Sequence, residues 1–334
     1  MNDVARRAGV AASTVSRALR EDPRLPPVTR QRIRDLADAM GYRPEPAFDI
    51  LARKRWGLAP RAPSGNLAWL GFARGLPTDI LAGIRLAAGR FAYPLEELAV
   101  ADYPYADQLD RVLQARGVRG IFLPALRHAD PPLPELDWDR YAVVSCSVDF
   151  QHPPFHIVRP DVAAKVTGAW RECLDRGYRR IGVALPMDRP GELDIERIGA
   201  AMYLQQTARP ETRRLPVWRG RFGDRKGFAR WLRRHRPDAV IGHASSLIAR
   251  MAEAGIRVPE DAGFAALYVP PGEQRSAGFD SQPAWLGREA VNLMDGMIRR
   301  NETGIPAHPL TILIHPRWVE GSTLPARPGT ATRT

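Results

Sequence analysis

The stretch that decides the first domain runs from Asp3 to Leu19 and reads DVARRAGVAASTVSRAL. Its apolar residues recur at helical spacing in two groups on either side of Gly9: Val4, Ala5 and Ala8, then Val10, Val15, Ala18 and Leu19. Gly9 suits a sharp turn, because glycine adopts positive φ without a Cβ penalty. The pattern therefore predicts two short helices that bury a common seam, which is a helix-turn-helix.

A third helical pattern follows from Pro27 to Met40, and its apolar residues are Val28, Ile33, Leu36, Ala37 and Met40. Pro27 suits the first turn of a helix, where a backbone N–H has no intrahelical partner. Three such helices can enclose a small core. The polar residues that open the second helix would then face solvent, as in domains that read the DNA major groove.

Two longer stretches, DVARRAGVAASTVSRAL and VTRQRIRDLADAMGYRP, resemble the headpiece of the LacI/GalR (lactose-repressor) family of bacterial transcription regulators. The resemblance covers residues 1–46 almost without gaps. Several short matches carry it together: Asp3-Val4-Ala5, Ala8-Gly9-Val10, Thr14-Val15-Ser16-Arg17, Thr29-Arg30 and Gly41-Tyr42-Arg43-Pro44. It implies that the second helix enters the major groove of an operator.

The resemblance also implies which side chains contact DNA. Base edges would be contacted by Ala12, Ser13 and Arg17. Arg17 is the strongest base reader of the three, because a guanidinium can bond guanine O6 and N7 together, worth about 1–3 kcal/mol of discrimination. Phosphate contacts, which fix register without reading sequence, would come from Thr14, Ser16, Thr29 and Arg30. For Ser16 and Thr29 the alternative is a capping or solvated side chain.

Residues 46–55, PAFDILARKR, occupy the place of the family's hinge, which becomes helical on operator DNA. Leu51 aligns with a leucine that wedges into the minor groove and bends the duplex, and Arg53 could follow the phosphate backbone. Pro46 and Asp49 depart from the family pattern. Whether this hinge forms a helix on DNA therefore stays open.

Two further departures concern helix capping. The chain begins two residues before Asp3, so either the first helix lacks its capping residue or the true start lies upstream. Ala11 stands where the family prefers a serine that caps the recognition helix. Loss of such a cap costs about 0.5–2 kcal/mol.

Beyond a Pro/Gly-rich connector at residues 57–65, strand-like and helix-like patterns alternate in two series. The predicted strands are 67–73, 95–100, 120–125, 141–147, 180–185, 214–219, 239–243 and 263–269. The predicted helices are 79–92, 106–116, 161–176, 195–208, 224–234 and 245–254. The alternation predicts parallel sheets covered by helices on both faces. The expected fold is an all-α headpiece followed by a two-lobed α/β core.

The body also resembles the effector-binding core of the same family, which is shaped like the periplasmic sugar-binding proteins. The matching segments are residues 176–183 (RGYRRIGV), 254–264 (AGIRVPEDAGF) and 282–291 (QPAWLGREAV). The resemblance implies three crossings between lobes, expected near residues 158, 282 and 304. The expected divisions are headpiece 1–45, hinge and linker 46–65, core 66–325 and tail 326–334, with lobe 1 about 66–157 and 283–303, and lobe 2 about 158–282 and 304–325.

The family holds an effector in the cleft with an arginine and an aspartate that grip sugar hydroxyls. Arg197, within the segment ERIGA, is the counterpart of the arginine. The aspartate has no counterpart, since the corresponding strand reads GFAALY, with Ala265 and Ala266 where carboxylates are expected. Other candidate cleft residues are Asp149, Phe150, Asp161, Asp280, Gln282 and Trp285. We expect a sugar-like metabolite rather than a simple hexose.

Charge supports a DNA-binding headpiece. The chain has a formal net charge of +12, and residues 1–62 hold 13 Lys and Arg against 7 Asp and Glu. A basic cluster of this density is typical of a phosphate-binding surface. Cys146 and Cys173 stand in apolar patterns without metal spacing, as expected of buried free thiols in a reducing cytoplasm. No apolar segment is long enough for a membrane span.

The sequence contains no G-x-S-x-G elbow, phosphate loop, dinucleotide fingerprint or H-E-x-x-H motif. We therefore expect no enzyme, no cofactor and no metal. The expected partners are double-stranded operator DNA, a sugar-like small molecule and a second copy of the chain in a homodimer. The alternative is a ligand-independent, architectural DNA binder whose core serves only dimerisation.

Overall fold

A computed structural model of the chain describes residues 2–19, 25–40, 65–71, 79–103, 105–124, 136–146, 153–185, 192–208, 210, 212–280 and 282–328. The chain divides into two compact units, residues 1–62 and residues 63–334. Among the described residues, no helix combines the length and the hydrophobicity that crossing a lipid bilayer requires.

Within its described residues, the first unit contains three helices, α1 (Asn2–Ala8), α2 (Ala12–Leu19) and α3 (Pro27–Ala39). Their buried side chains form one small core: Val4, Ala5, Val15, Ala18, Ile33 and Ala37. Gly9 has φ of +66°, and the Val10 N–H donates to the Ala5 carbonyl at 3.1 Å, which ends α1 in a tight turn. The predicted three-helix headpiece is confirmed.

The second unit contains strands and helices in alternation. Its helices are α4 (Asp79–Arg90), α5 (Ala106–Ala115), α6 (Val162–Asp175), α7 (Glu192–Gln206), α8 (Arg225–His235), α9 (Ser246–Glu253) and α10 (Pro283–Arg300). Its strands are β1 (Asn66–Gly71), β2 (Leu95–Ala99), β3 (Val118–Leu123), β4 (Ala142–Ser145), β5 (His156–Pro160), β6 (Ile181–Ala184), β7 (Ala239–Ala244), β8 (Gly263–Val269), β9 (Gly278–Asp280), β10 (Thr311–Ile314) and β11 (Arg317–Val319). Short 3₁₀ turns at Val100–Asp102 and Trp138–Arg140 complete the described elements.

The strands form two sheets, one in each lobe. The first has the order β10-β5-β4-β3-β1-β2 and is parallel throughout, with Leu67 opposite Leu95. The second has the order β11-β9-β8-β7-β6 and is parallel except for β11, which runs antiparallel to β9 with Trp318 opposite Phe279. The predicted two-lobed α/β core is confirmed.

Each sheet is covered by helices on both faces. In the first lobe, α4 and α10 pack on one face, and α5 packs on the other. In the second lobe, α6 and α7 pack on one face, and α8 and α9 pack on the other. Strands enclosed in this way have no polar face, which explains the unbroken apolar runs of the sequence.

Three features of the core differ from the sequence expectations. Strand β10 pairs in parallel with β5, placing Thr311 opposite Ile157, so the third crossing lies at residues 315–316 and the expected crossing near 304 is wrong. The predicted strand 214–219 is reduced to an isolated bridge between Trp218 and Ala184. Strand β5 had been expected only as a crossing. Short strands at a lobe boundary carry too few residues for their alternation to show which sheet they join.

Both cysteines are buried and unbridged, as expected. Cys146 lies in the core of the first lobe and Cys173 in that of the second. Burial alone raises the pKa of the Cys146 thiol to about 12. A thiol of this kind packs as a small apolar side chain rather than reacting.

Candidate DNA-reading helix and effector cleft

The buried side chains of α2 determine which side of this helix faces solvent. Val15 and Ala18 are fully buried against α1 and α3, so the opposite side of the helix faces solvent. Arg17 lies on that side and is exposed, while Thr14 is partly exposed. This is the arrangement that a base-reading arginine requires, since its guanidinium must reach beyond the surface of the domain.

The structure describes the side chains of only some of the other candidate DNA-contact residues. Thr29 and Arg30 lie partly exposed in the first turn of α3. Ala12, Ser13 and Ser16 belong to α2, but their side chains lie outside the described part of the chain. Leu51 and Arg53 also lie outside the described residues. All of these DNA contacts therefore stay predictions.

In the second unit, the carboxyl ends of three neighbouring strands form one edge of the second sheet. This edge presents His243 of β7, Tyr268 of β8 and Asp280 of β9. The first two turns of helices α6 and α7 bring Lys165 and Arg197. Ligands of open α/β sheets bind outside the carboxyl ends of the strands, so this edge is the candidate effector cleft.

Arg197 and His243 are in direct contact. The Arg197 Nη1 lies 3.2 Å from the His243 Nδ1. Because a guanidinium only donates, Nδ1 must accept, and the imidazole hydrogen therefore resides on Nε2. The His243 ring also stacks on Tyr268, with ring centroids 6.3 Å apart and planes inclined by 13°.

The environment keeps His243 neutral. His243 is exposed to solvent, but the protein atoms around its ring take away part of its hydration. This loss of hydration, together with the charges of Arg197 and Lys165, lowers the pKa of His243 to about 4. Near pH 7 the imidazole therefore offers one neutral N–H donor to the cleft.

Lys165 is a buried amine, only 6% exposed, among apolar side chains of α6. Burial lowers its pKa to about 8, against the opposing attraction of Asp280. Within the described residues its amine makes no hydrogen bond or ion pair. A charged group held in this way is unusual, since buried ammonium groups are normally paired.

The carboxylates around the cleft have partners within the protein. Asp161 caps α6 by accepting the Ala164 N–H at 2.8 Å. Asp280 accepts the Gln282 N–H at 2.8 Å. Glu196 forms a two-pronged ion pair with Arg159, in which the Nη1 to Oε2 distance is 2.9 Å.

The candidate cleft residues chosen from the sequence lie in different surroundings, and only some of them are at the candidate cleft. Arg197 and Asp280 lie at the candidate cleft, whereas Asp161 serves as a helix cap and Gln282 donates its side-chain amide to the His315 carbonyl at 2.7 Å. Trp285 is 49% exposed on α10, and the Arg288 guanidinium lies 3.8 Å from its ring centroid. Asp149 and Phe150 lie outside the described residues. Their effector roles stay predictions.

The positions assigned to the missing carboxylates need correction. Ala265 and Ala266 are fully buried in the middle of β8 and cannot line a cleft. The end of that strand presents Tyr268 instead. The expectation that this strand supplies no carboxylate to the cleft still holds for its described residues.

Sequence reasoning did not select Lys165, His243 or Tyr268. A signal for Lys165 was present, since it stands between Val162 and Val166 on an otherwise apolar helix face. His243 and Tyr268 gave no such signal, because each lies near the end of an otherwise apolar, buried strand.

Comparison with known families identifies both units. Residues 1–45 match the bacterial regulatory proteins of the lacI family, and residues 170–324 match the periplasmic binding protein-like domain. The chain therefore contains a lacI-type DNA-binding region and a periplasmic binding protein-like domain. Its first match coincides with the headpiece, and its second covers most of the lobe that carries Lys165, Arg197 and His243.

Among known proteins, the chain is similar to the HTH-type transcriptional regulator IpsA of Corynebacterium glutamicum, with 27% identity over 214 residues, or 62% of this chain and 59% of that protein. It is also similar to an HTH-type transcriptional regulator in the aml 5′ region of Streptomyces limosus, with 30% identity over 208 residues, or 56% of this chain and 52% of that protein. The chain thus spans between half and three fifths of the length of the curated relatives it matches.

Solved structures share the fold of this chain. The transcriptional regulator CelR in complex with cellobiose aligns with a TM-score of 0.56 and 19% identity over 96% of this chain and 98% of that one. A LacI-family regulatory protein from Chloroflexus aggregans aligns with a TM-score of 0.57 and 18% identity over 77% of this chain and 98% of that one. These likenesses establish a common architecture.

Proposed function

We propose that this chain is a sequence-specific DNA-binding transcriptional regulator of the LacI family, acting as a repressor in the cytoplasm rather than as an enzyme. One observation carries the proposal: a closed three-helix headpiece of the family holds α2 with its Arg17 side facing solvent. The density of basic residues in the first 62 positions supports it, because phosphate neutralisation supplies most of the affinity for DNA.

The regulator acts as a homodimer on a pseudo-palindromic operator. One recognition helix reads only a few base pairs, which is too short a site for specificity in a genome. Two headpieces related by two-fold symmetry read two half-sites, and the symmetry of the operator then mirrors that of the protein.

A small molecule in the cleft of the core modulates DNA binding. The class we propose is a sugar or related metabolite, and the CelR neighbour is a cellobiose complex. A ligand that contacts both lobes changes the angle between them, and coupling of this kind is typically worth about 1–3 kcal/mol. The alternative is a regulator that ignores small molecules, and the lack of a carboxylate at the described end of β8 favours it.

The decisive experiment measures DNA binding by fluorescence anisotropy. The full-length protein is titrated into DNA from upstream of its own gene, with competitor DNA and across a salt series. We expect competitor-resistant binding by two chains per operator, and about a tenfold or greater loss for Arg17→Ala.

The matched control is Arg233→Ala, which removes an exposed arginine from α8 of the core. It should leave operator affinity unchanged. Only weak binding that competitor DNA abolishes, or equal affinities for Arg17→Ala and wild type, would contradict the proposal. Thermal denaturation with candidate ligands then distinguishes a ligand-modulated regulator from a ligand-independent one, because a ligand bound only by the folded state raises Tm.

A further inference from the structure

The candidate cleft is rich in nitrogen donors. Lys165, Arg197 and His243 come from three different elements and meet at the carboxyl edge of the second sheet. Arg197 contacts His243 at 3.2 Å, and the charge of Lys165 acts on the same imidazole. Two of these groups are cationic and the third is a neutral N–H donor.

The N-terminal ends of two helices reinforce this character. Helices α6 and α7 both begin at this edge, and their N-terminal turns carry partial positive charge. On α6 the Asp161 carboxylate accepts a hydrogen bond from one first-turn amide, the Ala164 N–H. The helix ends therefore add to the positive potential set by Lys165 and Arg197.

The carboxylates around the cleft already take part in contacts within the protein. Asp161 and Asp280 accept backbone N–H groups, and Glu196 pairs with Arg159. Glu273 accepts the Ser245 hydroxyl at 3.0 Å. A sugar hydroxyl both donates and accepts hydrogen bonds, whereas a carboxylate or a dianionic phosphate ester only accepts them, so a site rich in donors favours the anion.

Lys165 provides an independent observation. The residue is only 6% exposed, and its amine has no hydrogen bond or ion pair within the described residues. Burying an unpaired charge opposes folding, so a charged lysine at this position requires compensation from elsewhere. A bound anion is the partner that would complete its coordination.

We propose that the effector of this cleft carries an anionic group, either a phosphate ester or a carboxylate, bound by Lys165 and Arg197 with the His243 Nε2–H as a further donor. This inference rests on the proposed function in treating the bound molecule as an effector of DNA binding. The binding of the anion itself depends only on the second unit. It narrows the sugar-like metabolite of the proposed function to a charged one.

The test compares ligands that differ mainly in charge. Full-length protein is titrated calorimetrically with D-glucose 6-phosphate, D-gluconate, D-glucose and inorganic phosphate at constant ionic strength. We expect saturable binding of inorganic phosphate and of at least one charged sugar derivative, with D-glucose at least tenfold weaker. The 6-phosphate and gluconate arms distinguish a phosphate ester from a carboxylate.

Two variants and a matched control locate the site. Lys165→Met and Arg197→Gln should each weaken anion binding by about tenfold or more, as expected for loss of a charge-assisted hydrogen bond. Lys226→Met removes an exposed lysine from α8 and should change nothing. Circular dichroism of each variant verifies folding.

Three results would overturn the inference: D-glucose binding as tightly as the anions, no binding of any anion in the panel, or unaltered anion binding by Lys165→Met. DNA titrations of the same samples keep the two proposals apart. Anion binding that depends on Lys165 in a protein without operator binding would sustain the inference and defeat the regulator proposal. Operator binding released by D-glucose alone would do the reverse.

Discussion

At the scale of single residues, Lys165 shows how a binding site can oppose folding. Its ammonium group loses hydration on burial, and the distant charge of Asp280 compensates only in part, so the pKa falls from 10.5 to about 8. One pKa unit corresponds to about 1.4 kcal/mol. The folded protein thus carries a cost at neutral pH that an apolar side chain of the same length would avoid.

We therefore predict that Lys165→Met raises stability by about 2 kcal/mol near pH 7 while it weakens anion binding. The sign follows from the lowered pKa: the folded state binds fewer protons than the unfolded state between pH 8 and 10.5. The advantage of Lys165→Met should be full below about pH 8 and should disappear as pH rises towards 10.5. Urea denaturation at several pH values measures it.

Lys226→Met is the control here as well, because Lys226 is exposed and should show no such pH dependence. A Lys165→Met protein that is less stable than wild type at pH 7 would mean that the amine has a stabilising partner, and the unpaired-charge argument would fail.

At the scale of elements, α2 begins without a side-chain cap. The Ala11 carbonyl accepts the Thr14 N–H at 2.8 Å and the Val15 N–H at 3.2 Å, but a methyl group cannot accept a hydrogen bond. We predict that Ala11→Ser stabilises α2 by about 1 kcal/mol, because the serine hydroxyl can accept an amide of the first turn. Amide hydrogen exchange of α2 in the full-length protein measures the gain.

Ala11→Val serves as the control, since valine is as poor as alanine at a capping position and adds no hydrogen-bond acceptor. Equal protection in wild type and Ala11→Ser would contradict the prediction. The capping hydroxyl expected from the family pattern would then be unnecessary in this headpiece.

Helices α4 and α10 approach each other through two glycines. A Cβ on Gly83 would lie 2.1 Å from the Pro283 carbonyl oxygen, and a Cβ on Gly287 would lie equally close to the backbone of Gly83. Backbone atoms cannot swing aside as side chains do. We predict that Gly83→Ala destabilises the core by about 2–3 kcal/mol, measured by thermal and urea denaturation.

Gly89→Ala on the same helix gives a matched control, because no atom lies within 4 Å of the added Cβ. It should stabilise the protein by about 0.5–1 kcal/mol, since alanine favours the helix over the unfolded chain. If Gly89→Ala destabilised the protein as much as Gly83→Ala, the close approach of α4 and α10 would not be the cause of the effect.

At the scale of the whole core, an ion pair between described residues joins the lobes. Arg159 lies on β5 of the first sheet, and Glu196 lies on α7 of the second lobe. The side chains are 8% and 36% exposed, so the arginine depends on its partner more than the glutamate does. The pair therefore restrains the angle between the two lobes, which is the coordinate that an effector would change.

We predict an asymmetric effect of breaking this pair. Glu196→Ala should destabilise the protein by about 2–4 kcal/mol, because it leaves a buried guanidinium without a carboxylate. Arg159→Met should cost less, since Glu196 reaches solvent, and the double variant should resemble Arg159→Met. Midpoints of urea denaturation for the four proteins complete the cycle.

Arg111→Ala is the control, because it breaks an ion pair with Asp107 in which both side chains are 73% exposed, and it should be close to neutral. If Glu196→Ala proved as mild as Arg111→Ala, the inter-lobe pair would not stabilise the folded core.

The sequence by itself determined the headpiece and the class of the core. The spacing around Gly9 specifies two helices because helix periodicity and turn formation act within a few residues. The alternation from residue 66 onward specifies parallel sheets for the same local reason.

Only the tertiary structure decided which distant segments meet. Strand β10 joins the first sheet beside β5, about 150 positions away, and a four-residue strand carries no local record of that choice. Lys165, Arg197 and His243 converge because the order of strands in the second sheet and the packing of α6 and α7 bring their ends together. Such contacts are long-range, and the free energy that selects them belongs to the assembled core rather than to any segment.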